Sequence, residues 1–138
     1  MWAEKALEVA RVAHAGQVDK GGAPYILHPM AVADGVCGDT AKAVALLHDV
    51  AEDTLITIED LTADGFPVEI TEAVRVLTKR PDADYETYLL AVKRNPVARK
   101  VKLADLRHNM DTKRLGRTLT DEDHQRLAKY RAAVDYLA

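Results

Sequence analysis

The chain has 138 residues, of which 48% are apolar and 30% are charged, and a chain of this length can bury about two-thirds of its unfolded surface without a disulfide to staple it. Its 19 basic and 22 acidic residues give a net charge of −3, which argues against a protein that holds nucleic acid through a basic face. The single cysteine, Cys37, excludes an internal disulfide.

The N-terminus has no apolar signal segment, and no uncharged stretch is long enough to span a membrane. We therefore expect a cytoplasmic protein that has no membrane partner and no nucleic-acid partner. We interpret Cys37 as a small core residue.

Apolar residues recur at helical spacing along the chain, and no segment alternates with period two as a strand would. Pro29 suits the first turn of a helix, Asp39 or Thr40 suits an N-cap, and Thr57 with Asp60 resembles a capping box. The sequence predicts a single all-α domain over 1–138, a compact helical bundle. Its predicted helices cover about 1–15, 29–38, 39–53, 57–64, 67–79, 84–94, 96–110 and 121–138.

The most informative motif is the segment 48–53, His-Asp-Val-Ala-Glu-Asp, which falls inside the third predicted helix. At about 100° per residue, its imidazole and three carboxylates share an arc of about 140°. The preceding segment 41–47 is apolar almost all round, so this helix is expected to be central. Carboxylates buried at this density need a cation or several hydrogen-bond donors. An ordinary solvated acidic face is the alternative interpretation.

Two further segments carry candidate ligands. His28 stands directly before Pro29 at a predicted loop-to-helix junction, where an imidazole can be aimed at a site; a structural histidine is the alternative. In the helix over 96–110, Lys102 and Asn109 lie within about 60° of Asp105 on the helix surface. That face suits a metal-ligating aspartate beside two substrate contacts, and ordinary i,i+3 Lys–Asp pairing is the alternative.

These segments resemble the HD superfamily of metal-dependent phosphohydrolases. More narrowly, they resemble the hydrolase domain of the RelA/SpoT stringent-response enzymes and their small stand-alone forms. The matching stretches appear in family order at 14–17, 20–29, 45–54, 102–105 and 109–110.

The resemblance implies a metal site, catalytic acids and nucleotide contacts. The implied metal ligands are His28, His48, Asp49 and Asp105. The implied catalytic residues, acting on the nucleophilic water, are Glu52 and Asp53, and the implied substrate contacts are Lys20 and Asn109. The family's usual ion is Mn²⁺, and two imidazoles with two carboxylates suit that ion, although the same ligands also accept Zn²⁺ or Fe²⁺. The separate roles of the two catalytic acids stay open, because adjacent acids titrate as a coupled set.

Lys102 and Arg114 are further candidates for phosphate contacts, with a solvated surface as the alternative for each. Among the other histidines, we interpret His14 as structural or as a support behind the ligands, and His108 as peripheral. We interpret His124 as a surface residue.

The chain departs from the family at Asp19, where the family has an arginine that lies against the guanine base. The leading hypothesis is a guanosine 3′,5′-bis(diphosphate), or ppGpp, 3′-pyrophosphohydrolase. The alternatives are a phosphatase or pyrophosphohydrolase of another nucleotide, such as a nucleoside monophosphate or an NADPH-like dinucleotide, and a non-catalytic metal-binding sensor. The oligomeric state stays open, because the apolar face of the last helix suits either the core or an interface.

Overall fold

Nine α-helices and one 3₁₀ helix make up the computed structural model, which describes residues 1–113 and 115–138, and those residues contain no β-strand. The helices are α1 (Trp2–Ala13), α2 (Leu27–Asp34), α3 (Asp39–Leu47), α4 (Val50–Asp53), α5 (Ile58–Ala63), α6 (Val68–Leu77), α7 (Tyr85–Arg94), α8 (Pro96–Asn109) and α9 (Asp121–Leu137), with the 3₁₀ helix at Thr112–Leu115. The predicted all-α class is confirmed. No helix in the described chain is both long and apolar enough to cross a membrane.

Helix α3 lies at the centre of the bundle, where it packs against α1, α2, α6 and α8. Ala43, Val44, Ala45 and Leu47 have no exposed surface. Small side chains allow neighbouring helices to approach closely, so α3 is enclosed on nearly every side. His48, the residue that follows α3, is therefore buried in the interior, with an exposed fraction of 3%.

The prediction of one continuous helix over 39–53 is wrong. Helix α3 ends at Leu47, and α4 begins at Val50. The Nδ1 atom of His48 lies 2.5 Å from the carbonyl oxygen of Ala45, which in a continuous helix would accept the backbone N–H of Asp49. Insertion of a side chain into the helical hydrogen-bond ladder is a known cause of helix breaks. His48 and Asp49 therefore lie in the link between the two helices.

Three local predictions are also corrected. Helix α2 begins at Leu27, so His28 lies in its first turn rather than in the loop before it. Asp39 is not the N-cap of α3, a position that Gly38 occupies with a φ of 93°. Cys37 is exposed and unpaired rather than part of the core.

Another local prediction is confirmed. Thr57 and Asp60 form a capping box at the start of α5. The sequence left the apolar face of α9 open between the core and an interface; Leu137 lies in the hydrophobic core, and Tyr130 and Val134 pack against it. Gly16 and Gly22 both adopt positive φ in the loop before α2, a conformation that glycine accepts without steric cost.

The carboxylate of Asp39 caps α1 instead of α3. It accepts hydrogen bonds from the backbone N–H groups of Trp2 and Ala3, each at 2.9 Å, and from the N-terminal amine of Met1 at 3.0 Å. These bonds from the α1 terminus lower the pKa of Asp39 to about 2. The first helix is thereby tied to the central one.

We expect Asp39→Ala to lower the melting temperature by several degrees at neutral pH, because the first turn of α1 loses its cap. The folded pKa of Asp39 lies below the unfolded value of about 3.9. Its stabilisation is therefore complete above that value and is lost as the pH falls towards about 2. The difference between wild type and variant in thermal scans should shrink over that interval. Asp82→Ala, in an exposed loop, removes the same charge without a cap; equal melting temperatures for the two variants would contradict the assignment.

Candidate metal centre and adjoining cleft

The four predicted metal ligands lie together where three parts of the bundle meet. His28 comes from α2, His48 and Asp49 from the link between α3 and α4, and Asp105 from α8. Oδ1 of Asp105 lies 2.8 Å from Nε2 of His28 and 3.3 Å from Nε2 of His48. Oδ2 of Asp49 lies 3.1 Å from Nε2 of His48 and 3.8 Å from Nε2 of His28.

These atoms have the spacing of a cation site. His28, His48 and Asp49 each offer one ligand atom, and the three atoms lie within 4.8 Å of one another. Both imidazoles and Asp105 are buried, while Asp49 is 16% exposed at its side chain. A mixed set of nitrogen and carboxylate ligands suits a first-row divalent ion. With both imidazoles neutral, two ionised carboxylates carry a charge that a divalent cation would balance.

Electrostatic coupling inside the cluster keeps the carboxylates ionised. Burial alone would raise the pKa of Asp49, but the charge of His48 and hydrogen bonds from His48 and Tyr25 lower it to about 2. Burial likewise opposes the charge of Asp105, yet bonds from both imidazoles and the charge of Lys102 hold its pKa well below the usual range. Burial would lower the pKa of His48, but the neighbouring carboxylates raise it well above the usual value.

Three side chains hold the carboxylates from outside the cluster. The Tyr25 hydroxyl donates a hydrogen bond of 2.5 Å to Oδ2 of Asp49. Lys102 donates to Oδ2 of Asp105 at 3.0 Å, and Asn109 donates to Oδ1 of the same residue at 3.2 Å. The prediction that Lys102, Asp105 and Asn109 share one face of the helix is confirmed. Contact of Lys102 and Asn109 with a substrate stays a prediction.

His108 is not peripheral, so that prediction is wrong. Its Nδ1 atom lies 2.7 Å from Nδ1 of His28. On a helical wheel His108 lies to one side of the Asp105 face, but α2 lies close enough to α8 for both residues to reach the same imidazole, that of His28. His124 is exposed, as predicted.

His14 is buried beside the cluster. Its Nδ1 atom lies 2.9 Å from Oε1 of Gln17, and its ring centroid lies 4.9 Å from that of Tyr25. Its Nε2 atom is buried without a hydrogen-bond partner among the described residues. Gln17 also donates to the backbone oxygen of Asp53 at 3.3 Å. These contacts fit the predicted supporting position of His14.

The two predicted catalytic acids lie on α4, one turn after Asp49, with exposed side chains. Partial burial raises the pKa of Glu52, and the nearby charges of Asp49 and Asp53 raise it further. Partial burial and the charge of Asp49 also raise the pKa of Asp53. Both acids therefore hold a proton more readily than an isolated carboxyl group.

A cleft of about 410 Å³ opens directly onto the cluster, and its wall includes His28, Asp49 and Asp105. This volume lies in the range of small-molecule sites. Lys20, Lys102 and Asn109, all predicted substrate contacts, line the cleft. Arg114, the remaining predicted contact, lies outside the described residues.

The far wall of the cleft was not predicted. It includes Arg126 and Tyr130 of α9, together with Asp123. Asp123 is 3% exposed and accepts from Arg117 at 2.6 Å and from Arg126 at 2.5 Å. The first of these bonds holds the pKa of Asp123 well below its usual range. Four-residue spacing of Arg126 and Tyr130 places them on one face of α9, but the sequence does not indicate which cavity that face lines.

Asp19, the position that departs from the family, shapes the mouth of the cleft. Its Oδ1 atom accepts backbone hydrogen bonds from Gly21 at 2.9 Å and from Ala23 at 3.0 Å. Such a bond from an aspartate to backbone two residues ahead is the usual chemistry of an Asx turn. The carboxylate therefore closes the loop that carries Lys20, and both Asp19 and Lys20 line the cleft.

Known proteins resemble this chain over most of its length. It is 41% identical over 135 residues to a guanosine-3′,5′-bis(diphosphate) 3′-pyrophosphohydrolase of Haemophilus influenzae, a match that covers 88% of this chain and 20% of that protein. It is 37% identical over 136 residues to the bifunctional (p)ppGpp synthase/hydrolase SpoT of Escherichia coli, covering 88% of this chain and 19% of that protein. A probable GTP pyrophosphokinase of Mycobacterium leprae is 38% identical over 124 residues, and the match covers 80% of this chain and 16% of that protein.

The chain thus spans at most about a fifth of the length of these relatives. A solved structure described as "A metazoan ortholog of SpoT hydrolyzes ppGpp and plays a role in starvation responses" superposes with a TM-score of 0.79. It is 24% identical, and the match covers 99% of this chain and 85% of the other. That similarity supports the helical fold. No protein-family model matches the chain.

We expect Tyr25→Phe to lower the free energy of unfolding of the metal-free protein by about 1–3 kcal/mol, because a mostly buried carboxylate loses a hydrogen-bond donor. Urea titration in the presence of a chelator measures this change. Tyr136→Phe removes a hydroxyl from a side chain that is 39% exposed and is the matched control. Equal stabilities for the two variants would show that the Tyr25–Asp49 contact contributes nothing.

Proposed function

We propose that this chain, which is homologous to one segment of the RelA/SpoT-type enzymes of (p)ppGpp metabolism, is a metal-dependent phosphohydrolase that removes the 3′-pyrophosphate of ppGpp. The observation that carries the proposal is the meeting of two imidazole nitrogens and two carboxylates at the wall of a cleft. The 41% identity to a protein named for this hydrolysis supports the choice of substrate.

In this proposal His28, His48, Asp49 and Asp105 hold one divalent ion, with Mn²⁺ as the proposed metal. The Ala45 carbonyl supports the role of His48: it accepts the Nδ1 proton, so Nε2, which lies 3.1 Å from Asp49 and 3.3 Å from Asp105, is the nitrogen left to bind an ion. When bound, such an ion supplies a Lewis acid that acidifies water and neutralises charge on a phosphoryl group.

Glu52 and Asp53 handle protons in the proposed reaction. One of them accepts the proton of the attacking water, whose oxygen forms a bond to the phosphorus of the 3′-pyrophosphate. The bond between that phosphorus and the ribose 3′ oxygen breaks, and the leaving oxygen takes a proton, which gives GDP and pyrophosphate. The raised pKa values of both acids favour this proton exchange.

Cationic and amide groups along the cleft would bind the nucleotide. Lys20 lies in the loop that Asp19 closes, and Asn109 lies beside Asp105. Lys102 directs its ammonium group to Asp105 and is 18% exposed. We retain Arg114 as a proposed phosphate contact on the ground of sequence alone.

A second substrate class is favoured by one observation. Asp19 lines the cleft, and it stands at the position where the family has a base-stacking arginine. Another nucleotide, such as a nucleoside monophosphate or an NADPH-like dinucleotide, is therefore the second candidate. Incubation of the Mn²⁺-loaded protein with a nucleotide panel separates the two, because only the first candidate releases pyrophosphate from ppGpp.

We also propose that the protein acts in the cytoplasm on a small nucleotide, without a nucleic-acid partner. The unpaired, exposed Cys37 suits a reducing compartment. The net charge of −3 and the aspartates that line the cleft both oppose binding to a polyanion by charge alone.

We expect the Mn²⁺-loaded protein to release pyrophosphate from ppGpp, and we expect Glu52→Gln combined with Asp53→Asn to slow this by about 10²–10⁴-fold, because the water loses its proton acceptor. Release of pyrophosphate, followed by a coupled assay, measures the rate. Glu59→Gln combined with Asp82→Asn makes the same charge change at exposed positions and is the control. A double variant at 52 and 53 that retains the wild-type rate would contradict the catalytic assignment.

The proposed metal site has a consequence for stability. An ion that binds only the folded chain should raise the free energy of unfolding by about 2.7 kcal/mol at a concentration 100 times its dissociation constant. We expect His48→Ala to abolish this increase, whereas His124→Ala, at an exposed position of α9, should retain it. Denaturant titrations with and without Mn²⁺ measure the difference. An undiminished increase in His48→Ala would place the ion elsewhere.

A further inference from the structure

We propose that His108 is a positioning residue for His28: in the ion-loaded protein it accepts the Nδ1 proton of His28 and thereby directs the lone pair of Nε2 into the metal centre. The inference rests on the proposed function, because it concerns the metal centre that this function requires. It assigns a role to a histidine that does not itself face the carboxylate cluster.

Helix α8 contacts both nitrogens of the His28 ring. Asp105 Oδ1 lies 2.8 Å from Nε2, and His108 Nδ1 lies 2.7 Å from Nδ1. The two residues are three apart, so they stand on neighbouring faces of one helix. A single rigid element therefore sets the orientation of the whole imidazole.

The two histidine rings lie side by side rather than face to face. Their centroids are 4.9 Å apart, and their planes are inclined by 28°. The 2.7 Å between the Nδ1 atoms accounts for most of the centroid separation, so the rings meet edge to edge. This is the geometry of an N–H···N hydrogen bond, in which one nitrogen carries the proton and the other accepts it.

The two proposed imidazole ligands, His48 and His28, differ in the group that their Nδ1 atom contacts. A carbonyl oxygen only accepts, so the Ala45 contact requires a proton on Nδ1 of His48 in every state. An imidazole nitrogen either donates or accepts, so the tautomer of His28 depends on that of His108. Only the arrangement in which His28 donates and His108 accepts leaves Nε2 of His28 unprotonated.

This arrangement predicts that replacing His108 lowers the affinity for the metal ion. Groups that accept the second ring proton of a metal-bound histidine typically contribute about 10–100-fold to metal affinity. Replacing His108 with an apolar residue removes the acceptor, and the His28 ring then loses both its orientation and its preference for the Nδ1-protonated tautomer. An amide oxygen near the position of Nδ1 would restore the acceptor.

The test measures Mn²⁺ affinity by titration of the full chain. We expect His108→Leu to weaken binding by about 10–100-fold, and His108→Asn, which keeps an acceptor, to bind within a few-fold of wild type. His124→Leu is the matched control at an exposed position and should bind as wild type does. Wild-type affinity in His108→Leu would overturn the inference while leaving the proposed function intact.

Nitrogen-15 NMR of the unmodified protein loaded with diamagnetic Zn²⁺ keeps the inference testable even where His108→Leu fails to fold. We expect His28 to carry its proton on Nδ1 and His108 to carry its proton on Nε2. A proton on Nδ1 of His108 would overturn the inference. Failure of the unmodified protein to bind any divalent ion would overturn the proposed function, and this inference with it.

Discussion

The burial of the Asp105 carboxylate is the constraint on which the arrangement of the site depends. Asp105 is 4% exposed, and an ionised carboxylate at that depth requires donors on every side. It has them in two imidazoles, one ammonium group and one amide, from His28, His48, Lys102 and Asn109. Because these donors come from α2, from the end of α3 and from α8 itself, the carboxylate orients three parts of the bundle towards one point.

The arrangement of the site also depends on the break between α3 and α4. The bond from His48 to the Ala45 carbonyl ends α3 and at the same time sets the tautomer of the imidazole. Asp49 can then approach His48 closely, and α4 presents Glu52 and Asp53 on a separate turn. One hydrogen bond thus links the local fold to the chemistry of the site.

Much of this organisation is readable from the sequence, because it depends on short-range periodicity. The helices over 57–64, 84–94 and 96–110 match α5, α7 and α8 to within one or two residues, since their caps are local signals. The common face of Lys102, Asp105 and Asn109 follows from helical spacing alone. The four proposed ligands, however, come from three elements, and their convergence was expected from a family resemblance rather than from spacing.

What could not be predicted depends on contacts between elements that are distant in the sequence. Asp39 is a residue type that commonly caps the helix it begins, yet it caps α1 instead. It does so because the packing of the bundle places the first turn of α1 beside it. His108 falls away from the ligand face on a helical wheel, yet α2 brings His28 against it.

The wall of the cleft on α9 has the same origin. Asp123 looks like a capping residue in the sequence, and it does accept from the backbone of Thr120. The buried carboxylate also accepts hydrogen bonds from Arg117 and Arg126, and it thereby holds Arg126 at the wall of the cleft. On both sides of the cleft, therefore, a buried carboxylate orients a cationic side chain, Lys102 through Asp105 and Arg126 through Asp123. Each cation is held in place by an anion that partly cancels its charge. Such a wall orients hydrogen-bond donors towards a ligand but adds little net positive charge. A highly charged phosphate ester would therefore need a further cation to balance its negative charge.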